Sequence, residues 1–388
     1  MKEKLWVKIL LSITVAVIIG FFGFAGMVIT ALMGGEIFYT PFVAAVTAGF
    51  IFLAIFLIFG LLRKKSFKML VISYFSICLV TLAYYNISSA YKNSIPTLND
   101  QGVDLWEYAP FAEGTKAVPL EEQSTLKLQD ELPKLDGATA LYPLYSAFVQ
   151  AVYPKGDYPP YEGPVICTTT PDAYKNLMEG MVDIIFTARP SKDQIAEAKS
   201  KGLEFKLTPI GYEAFVFFVN SKNEVKGLTT DQIQDIYSGK ITNWQEVGGK
   251  NQSIKAFQRP DNSGSQTMLQ KIMEGKTLMT PPKEDVVAGM GGIIEKTSNY
   301  RNYKNAIGYS FLFFTTEMIG NNEIHLLKID GVYPDKNTIK DKTYPYTTEL
   351  YAVTTNSKNP NIDRFLEWIL SPQGQSLVEK TGYIPIAQ

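Results

Sequence analysis

Hydrophobic positions follow two regimes along this chain: unbroken apolar runs fill the first quarter, and short apolar blocks alternate with amphipathic stretches through the rest. The unbroken runs cover 5–32, 41–62 and 69–87. Each is near the roughly 20 residues a helix needs to cross the hydrocarbon layer of a bilayer, and none contains an acidic residue or an arginine. Lys8, close to the start of the first run, is placed where its amine can reach the interface. The pattern predicts three transmembrane helices forming a membrane anchor over 1–88. A cleaved signal peptide fits less well, because the first run exceeds a signal core, lacks a cleavage pattern before Gly34 and is followed at once by two more spans.

Orientation follows from the basic residues, which are retained on the cytoplasmic side. Lys2 and Lys4 precede the first span; Arg63, Lys64, Lys65 and Lys68 sit between the second and third, whereas the 34–40 connection carries only Glu36. The N-terminus is therefore expected in the cytoplasm, and three crossings put everything after about residue 88 outside.

Residues 89–131 mix Asn, Pro, Gly and charges without periodicity, which predicts an extracytoplasmic stalk or arm on which Trp106, Tyr108, Pro110 and Phe111 serve as docking aromatics and turn. Beyond 132 the pattern predicts strands over 135–140, 165–169, 183–187, 213–220, 253–258, 306–314 and 350–355. Helices are expected from Tyr142, from Pro171, and over 230–237, 265–273 and 360–370. Such strand–helix alternation predicts an α/β domain with a parallel or mixed sheet.

Charge sharpens the division. Of 37 Lys and Arg and 38 Asp and Glu, the first 88 residues hold seven and two, so the remainder carries 30 against 36 and a net charge near −6. No basic face or nucleic-acid motif accompanies it, which argues against nucleic acid as a partner. Cys78 falls in the third span and Cys167 in the exported part, so an intrachain disulfide is not expected. The single histidine, His325, in a strand-like stretch without a nucleophile motif, removes most metal sites and histidine-dependent hydrolases. The carboxylate pairs Glu121-Glu122 and Glu284-Asp285 lie in polar loops and are expected to be solvated. No catalytic residue, metal or cofactor is called for.

What remains is anion chemistry. Backbone N–H groups at helix starts, backed by Ser or Thr hydroxyls, hold oxyanions because unpaired donors and the positive dipole end coincide there. Three such junctions occur. Asp136 to Pro143 runs from a strand through small residues into a helix; Cys167 to Ala173 offers Thr170 as N-cap with Pro171 at the first helical position; Arg259 to Thr267 contains a Ser263-Gly264-Ser265 turn. Arg259 adds a planar donor fork suited to phosphate, which Asp261 could steady.

At these residues the chain resembles the phosphate-binding protein family of ABC importers, type II periplasmic binding proteins. The resemblance covers about 130–388 and rests on Gly137 to Pro143, Asp183 to Pro190, Ile236 to Trp244 with Val247 to Gly249, Arg259 to Ser265, Ala306 to Tyr309, Ser371 to Gln375 and Gly382 to Pro385. It implies two hinged α/β lobes, one built from 132–210 and 345–388 and the other from 211–344, closing on an anion. It also implies ligand contacts from Thr139, Ala140, Leu141, Thr168, Thr169, Thr170, Thr187, Arg259, Ser263, Gly264 and Ser265. One departure stands out: where the family's phosphate-specific pattern has an aspartate accepting the proton of hydrogen phosphate, this chain has Ala188. Beside it, Arg189 is either a solvated charge or a second cation for a different anion. Two roles stay open, delivery of phosphate or a related anion to an ABC permease and ligand sensing through the membrane helices. In either, Gly20, Gly23, Ala25 and Gly26 permit close helix packing.

Overall fold

The computed structural model describes residues 2–32, 38–94, 97–98, 103–281, 300–301, 303–318 and 323–386. Glu36 of the first connection and the Glu284-Asp285 pair lie outside the described residues. Two units divide the chain, Met1–Ser94 and Ile95–Gln388.

The first unit consists of α1 (Lys2–Leu32), α2 (Tyr39–Ile58) and α3 (Lys65–Ser94), each long and apolar enough to cross a membrane. The second helix ends at Ile58 rather than at 62, because Gly60 at φ 69° turns the chain into a short 3-10 turn at Leu61–Arg63. A Cβ on Gly23 would stand 2.3 Å from the Thr47 side chain, so α1 and α2 can meet at that level only without one. Gly20 faces nothing within 4 Å and has no such role. Phe21, Phe22, Leu79 and Ile87 are exposed on the outer faces of these helices.

In the second unit a mixed seven-stranded sheet runs through two lobes. Its strands are β1 (Leu135–Gly137), β2 (Ile184–Thr187), β3 (Lys206–Asn220), β4 (Lys255–Ala256), β5 (Ala306–Phe311), β6 (Ile324–Leu326) and β7 (Thr347–Thr354). They are ordered β1-β2-β7-β3-β5-β4, with β6 also paired to β3. Lys206 to Ala214 of β3 pair with β7, whereas Phe215 to Asn220 pair with β5 and β6. A single strand thus leaves one core and enters another. The stretch predicted as a strand over 165–169 makes only an isolated bridge from Val165 to Leu135.

Side chains alternate across the first lobe's sheet as a pleated strand requires. Ile184 and Phe186 enter a core with α4 (Tyr142–Val152) and the helices Ile362–Leu370 and Pro372–Thr381. Ile185 and Val353 face the opposite way, against α5 (Thr170–Met178) and Ala198 of α6 (Lys192–Ser200). The second lobe is built on Phe215, Phe217, Trp244, Leu269 and Tyr309, packed with α7 (Thr230–Tyr237) and α8 (Gly264–Ile272).

Two features differ from the sequence expectation. The segment expected as a stalk joins the first core from Val103 onward, through Leu105, Leu126 and Leu128, with Leu128 N donating to Val152 O at 3.0 Å. Apart from the Leu126 and Leu128 pair, its buried apolar residues follow no sustained helical or strand spacing, so the pattern does not announce their burial. Trp106 alone stays largely exposed, edge-on to Tyr161. In addition, Phe313 and Phe314, which follow β5, pack into the first core, and Phe313 stacks on Tyr383 at 4.6 Å.

The crossing is tight. A Cβ on Gly211 would lie 3.0 Å from Ile384 O, which accepts a hydrogen bond from Tyr212 N at 2.7 Å, so the approach of two backbones requires glycine there. Two residues on, the Glu213 carboxyl is buried; its Oε1 accepts from Phe313 N at 2.7 Å, and Oε2 has no partner among the described residues. Burial pushes its pKa up to about 8, although the Phe313 N–H favours the charged form.

Candidate functional site

The three junctions are assembled by different means. At the first, β1 ends at Gly137 and the chain passes through a 3-10 turn, Thr139–Leu141, into α4. A Cβ on Gly137 would fall 2.5 Å from Phe186 O, so β1 and β2 come together there without a side chain between them. The N–H groups of Thr139 and Ala140 have no acceptor within the turn.

At the second, the structure corrects the expected N-cap. Thr169, not Thr170, is the last extended residue (φ −137°, ψ 165°), and its hydroxyl accepts from Asp172 N at 3.4 Å. Thr170 is then the first helical residue and Pro171 the second, where the missing N–H costs no hydrogen bond.

Asp136 joins these two junctions. Fully buried, its carboxylate accepts from Gly137 N at 2.7 Å, Thr168 N at 2.9 Å, Thr168 Oγ1 at 2.8 Å and Asn176 Nδ2 at 2.8 Å. Burial nevertheless raises its pKa, outweighing those bonds. The Thr168 hydroxyl is thereby turned toward Asp136, and the Thr139 hydroxyl lies beside the buried Cys167 thiol.

At the third junction, Asn262 takes a left-handed conformation (φ 64°), and Ser263 caps α8 by accepting from Gln266 N at 3.3 Å. Gly264 and Ser265 then present N–H groups without an intrahelical acceptor. The Arg259 backbone N–H is shared between Gln266 Oε1 at 3.0 Å and the Tyr309 hydroxyl at 2.9 Å, and that hydroxyl also bonds Gln266 Oε1. Asp261, expected to steady the guanidinium, accepts from Gln270 Nε2 at 3.0 Å.

The second and third junctions meet across the lobes. From the point where Gly264 would carry a Cβ, Thr170 Oγ1 is 3.4 Å away and the Ala188 methyl 3.6 Å. Close by, Ser191 Oγ donates to Asn262 Oδ1 at 2.7 Å and Gln194 Nε2 to Asn262 O at 3.3 Å. Thr187 is buried at the end of β2 with its hydroxyl donating to Tyr174, so it stands behind this meeting point. Arg189 is held on the rim by the Tyr351 hydroxyl at 2.5 Å and by Glu349 at 3.5 Å. Sequence reasoning passes over Asp136, Ser191 and Gln194. The Ser191-x-x-Gln194 capping box was the available signal for the start of α6.

Among the described residues, no three of His, Cys, Asp and Glu converge as a metal would require. His325 Nε2 lies 2.9 Å from Val225 O, and burial lowers its pKa.

The model of the PBP superfamily domain matches residues 129–373, nearly the whole of both lobes. The chain belongs to that family. Two relatives are the phosphate-binding protein PstS of Borreliella burgdorferi, 28% identical over half of this chain (50%) and 71% of the relative, and its namesake in Bacillus subtilis, 30% identical over 43% of this chain and 53% of the relative. A substrate-binding protein of Clostridium perfringens, solved with bound phosphate, is 26% identical and superposes with a TM-score of 0.50, over 65% of this chain and 98% of its own. The three apolar helices precede the part matched to the PBP superfamily.

Proposed function

We propose that this chain is a membrane-anchored, extracytoplasmic solute-binding protein that captures a small oxyanion of the phosphate type and hands it to an ABC permease. The observation that carries the proposal is the meeting of Gly264 with Thr170 and Ala188, which draws helix starts from both lobes toward one point. Asp136 ties the Thr139–Leu141 turn to the same place. The ligand is held by N–H groups of Thr139, Ala140, Thr170, Gly264 and Ser265, with Thr168, Thr169 and Thr187 ordering the wall behind them, whereas the N–H groups of Leu141 and Ser263 donate to Ala138 O at 2.8 Å and Pro260 O at 3.3 Å. Arg259 supplies the permanent charge. The names of the relatives, and the phosphate held by the Clostridium perfringens protein, support the ligand class. The lobes divide at about 211 and 345, where the chain changes core, and their separation and closure admit and retain the ligand.

The anchor rests on the length of the three helices and their apolar outer faces, which hydrocarbon would cover. The basic residues at 2, 4, 63–65 and 68 put the N-terminus in the cytoplasm and both lobes outside.

Calorimetry on the full chain in mild detergent tests the site. Inorganic phosphate binds, and Arg259→Ala weakens it by about 2–5 kcal/mol, the range for removing one partner of a buried charge-assisted contact. Unchanged affinity in that variant would remove Arg259 from the site, and absence of binding by the native chain would overturn the proposal.

A further inference from the structure

Beside the meeting point lies a cleft of about 490 Å³, bounded on one lobe by Ala188 and Ile195 and on the other by Gly264, Thr267 and Met268 of α8, with Phe311 at its end. Its volume falls within the roughly 300–1,000 Å³ of sites that take drug-sized ligands, far more than a bare tetrahedral anion occupies. The cleft is continuous with the anion site, since Ala188 and Gly264 belong to both. Its lining is mixed: Lys192 and Glu274 pair at 3.5 Å from opposite lobes, Arg189 is tied to Glu349 and Tyr351, and Asp193 and Lys271 add further charges. Its walls carry Ile195, Met268 and Phe311, together with the Thr267 hydroxyl, whose oxygen is buried without a partner among the described residues.

The side chains at the junction of site and cleft decide which phosphoryl compound fits. Hydrogen phosphate carries one P–OH, and burying that donor without an acceptor costs roughly 1–3 kcal/mol. Where the site opens into the cleft the chain offers the Ala188 methyl, Gly264 and the Thr170 hydroxyl, which is a weaker acceptor than a carboxylate and donates as readily as it accepts. A phosphate monoester or a phosphonate has P–O–C or P–C at that position and needs no acceptor. Its organic group has the apolar side chains of Ile195, Met268 and Phe311 to cover.

We infer that the site binds its oxyanion as the head of an organophosphoryl ligand, a phosphate monoester or phosphonate whose organic group fills the cleft between α6 and α8. This rests on the oxyanion site proposed above and names its ligand class. The test is calorimetry on the full chain in detergent with inorganic phosphate, phenyl phosphate and phenylphosphonate, repeated with Ile195→Trp, a substitution at a partly exposed wall position. Expected is binding of phenyl phosphate or phenylphosphonate at least tenfold tighter than inorganic phosphate, with that preference reduced at least tenfold in Ile195→Trp. Inorganic phosphate binding as tightly as the phenyl compounds, or a preference untouched by Ile195→Trp, would overturn the inference and leave the oxyanion site standing. Failure of all three probes to bind would remove the site itself.

Discussion

Replacing Glu213 by glutamine tests the electrostatics of the crossing between lobes. The carboxyl is only 4% exposed, and burial raises its pKa from the usual 4.5 to about 8. The folded state therefore keeps a proton that the unfolded chain releases above pH 4.5. Stability from this group is fully present below pH 4.5 and is lost as pH rises through 8. At about 1.4 kcal/mol per pH unit, with both titrations counted, the native protein loses roughly 3–4 kcal/mol between pH 5 and pH 8 through Glu213 alone. Glutamine cannot titrate, and its amide oxygen can still accept from Phe313 N. Guanidinium unfolding of the full chain in mild detergent, read by tryptophan fluorescence from the buried Trp244 and Trp368, gives the stability at both pH values. The difference between native and Glu213→Gln proteins should shift in favour of the variant by that amount over the interval, while all other titrating groups cancel. A shift below about 1 kcal/mol would mean that the carboxyl ionises normally and that water reaches it.

Other perturbations address the frame of the site. Asp136→Ala strands four donors, from Gly137, Thr168 and Asn176, that converge on a buried carboxylate, and should cost about 3 kcal/mol in the same unfolding assay. Inorganic phosphate affinity should fall with it as the first two junctions come apart. Gly211→Ala forces a methyl against Ile384 O and should destabilise by about 1–3 kcal/mol, visible as a lower guanidinium midpoint with unchanged slope.

The three long apolar helices were legible because length and apolarity alone define them; Gly60 ended the second early, and flanking polar residues extended the first back to Lys2, the second to Tyr39 and the third to Lys65–Ser94. Thr230–Tyr237 was found at its predicted bounds, since Thr229 and Gln232 form a capping box before an apolar periodicity. The helix at Lys192 has the same box, but its buried positions are Gln194 and Ala198 and its one large apolar residue, Ile195, is exposed, so periodicity did not reveal it. β3 was predicted only from 213, because Lys206 to Tyr212 include a lysine, a proline and a glycine that local rules assign to loops. Pairing with β7 overrides them, and pairing is not written locally. The same limit governs the site. The helix-start chemistry was visible in three separate segments, whereas the Asp136 bridge and the Ser191–Asn262 contact join residues far apart in the chain.

The sheet order carries a consequence for how the chain is made. β7 sits between β2 and β3, yet it leaves the ribosome after the whole second lobe. At roughly 5–20 residues per second, the interval between β2 and β7 lasts on the order of 10–30 s. Throughout it the Ile184–Thr187 edge presents unpaired amides and carbonyls that invite any extended segment to dock. The nascent first lobe must wait, open-edged, for a strand synthesised only after its neighbour lobe is complete. Vectorial synthesis therefore makes Thr347–Thr354 the closing piece of the first lobe, and any chain truncated before it is an aggregation hazard even with its second lobe intact.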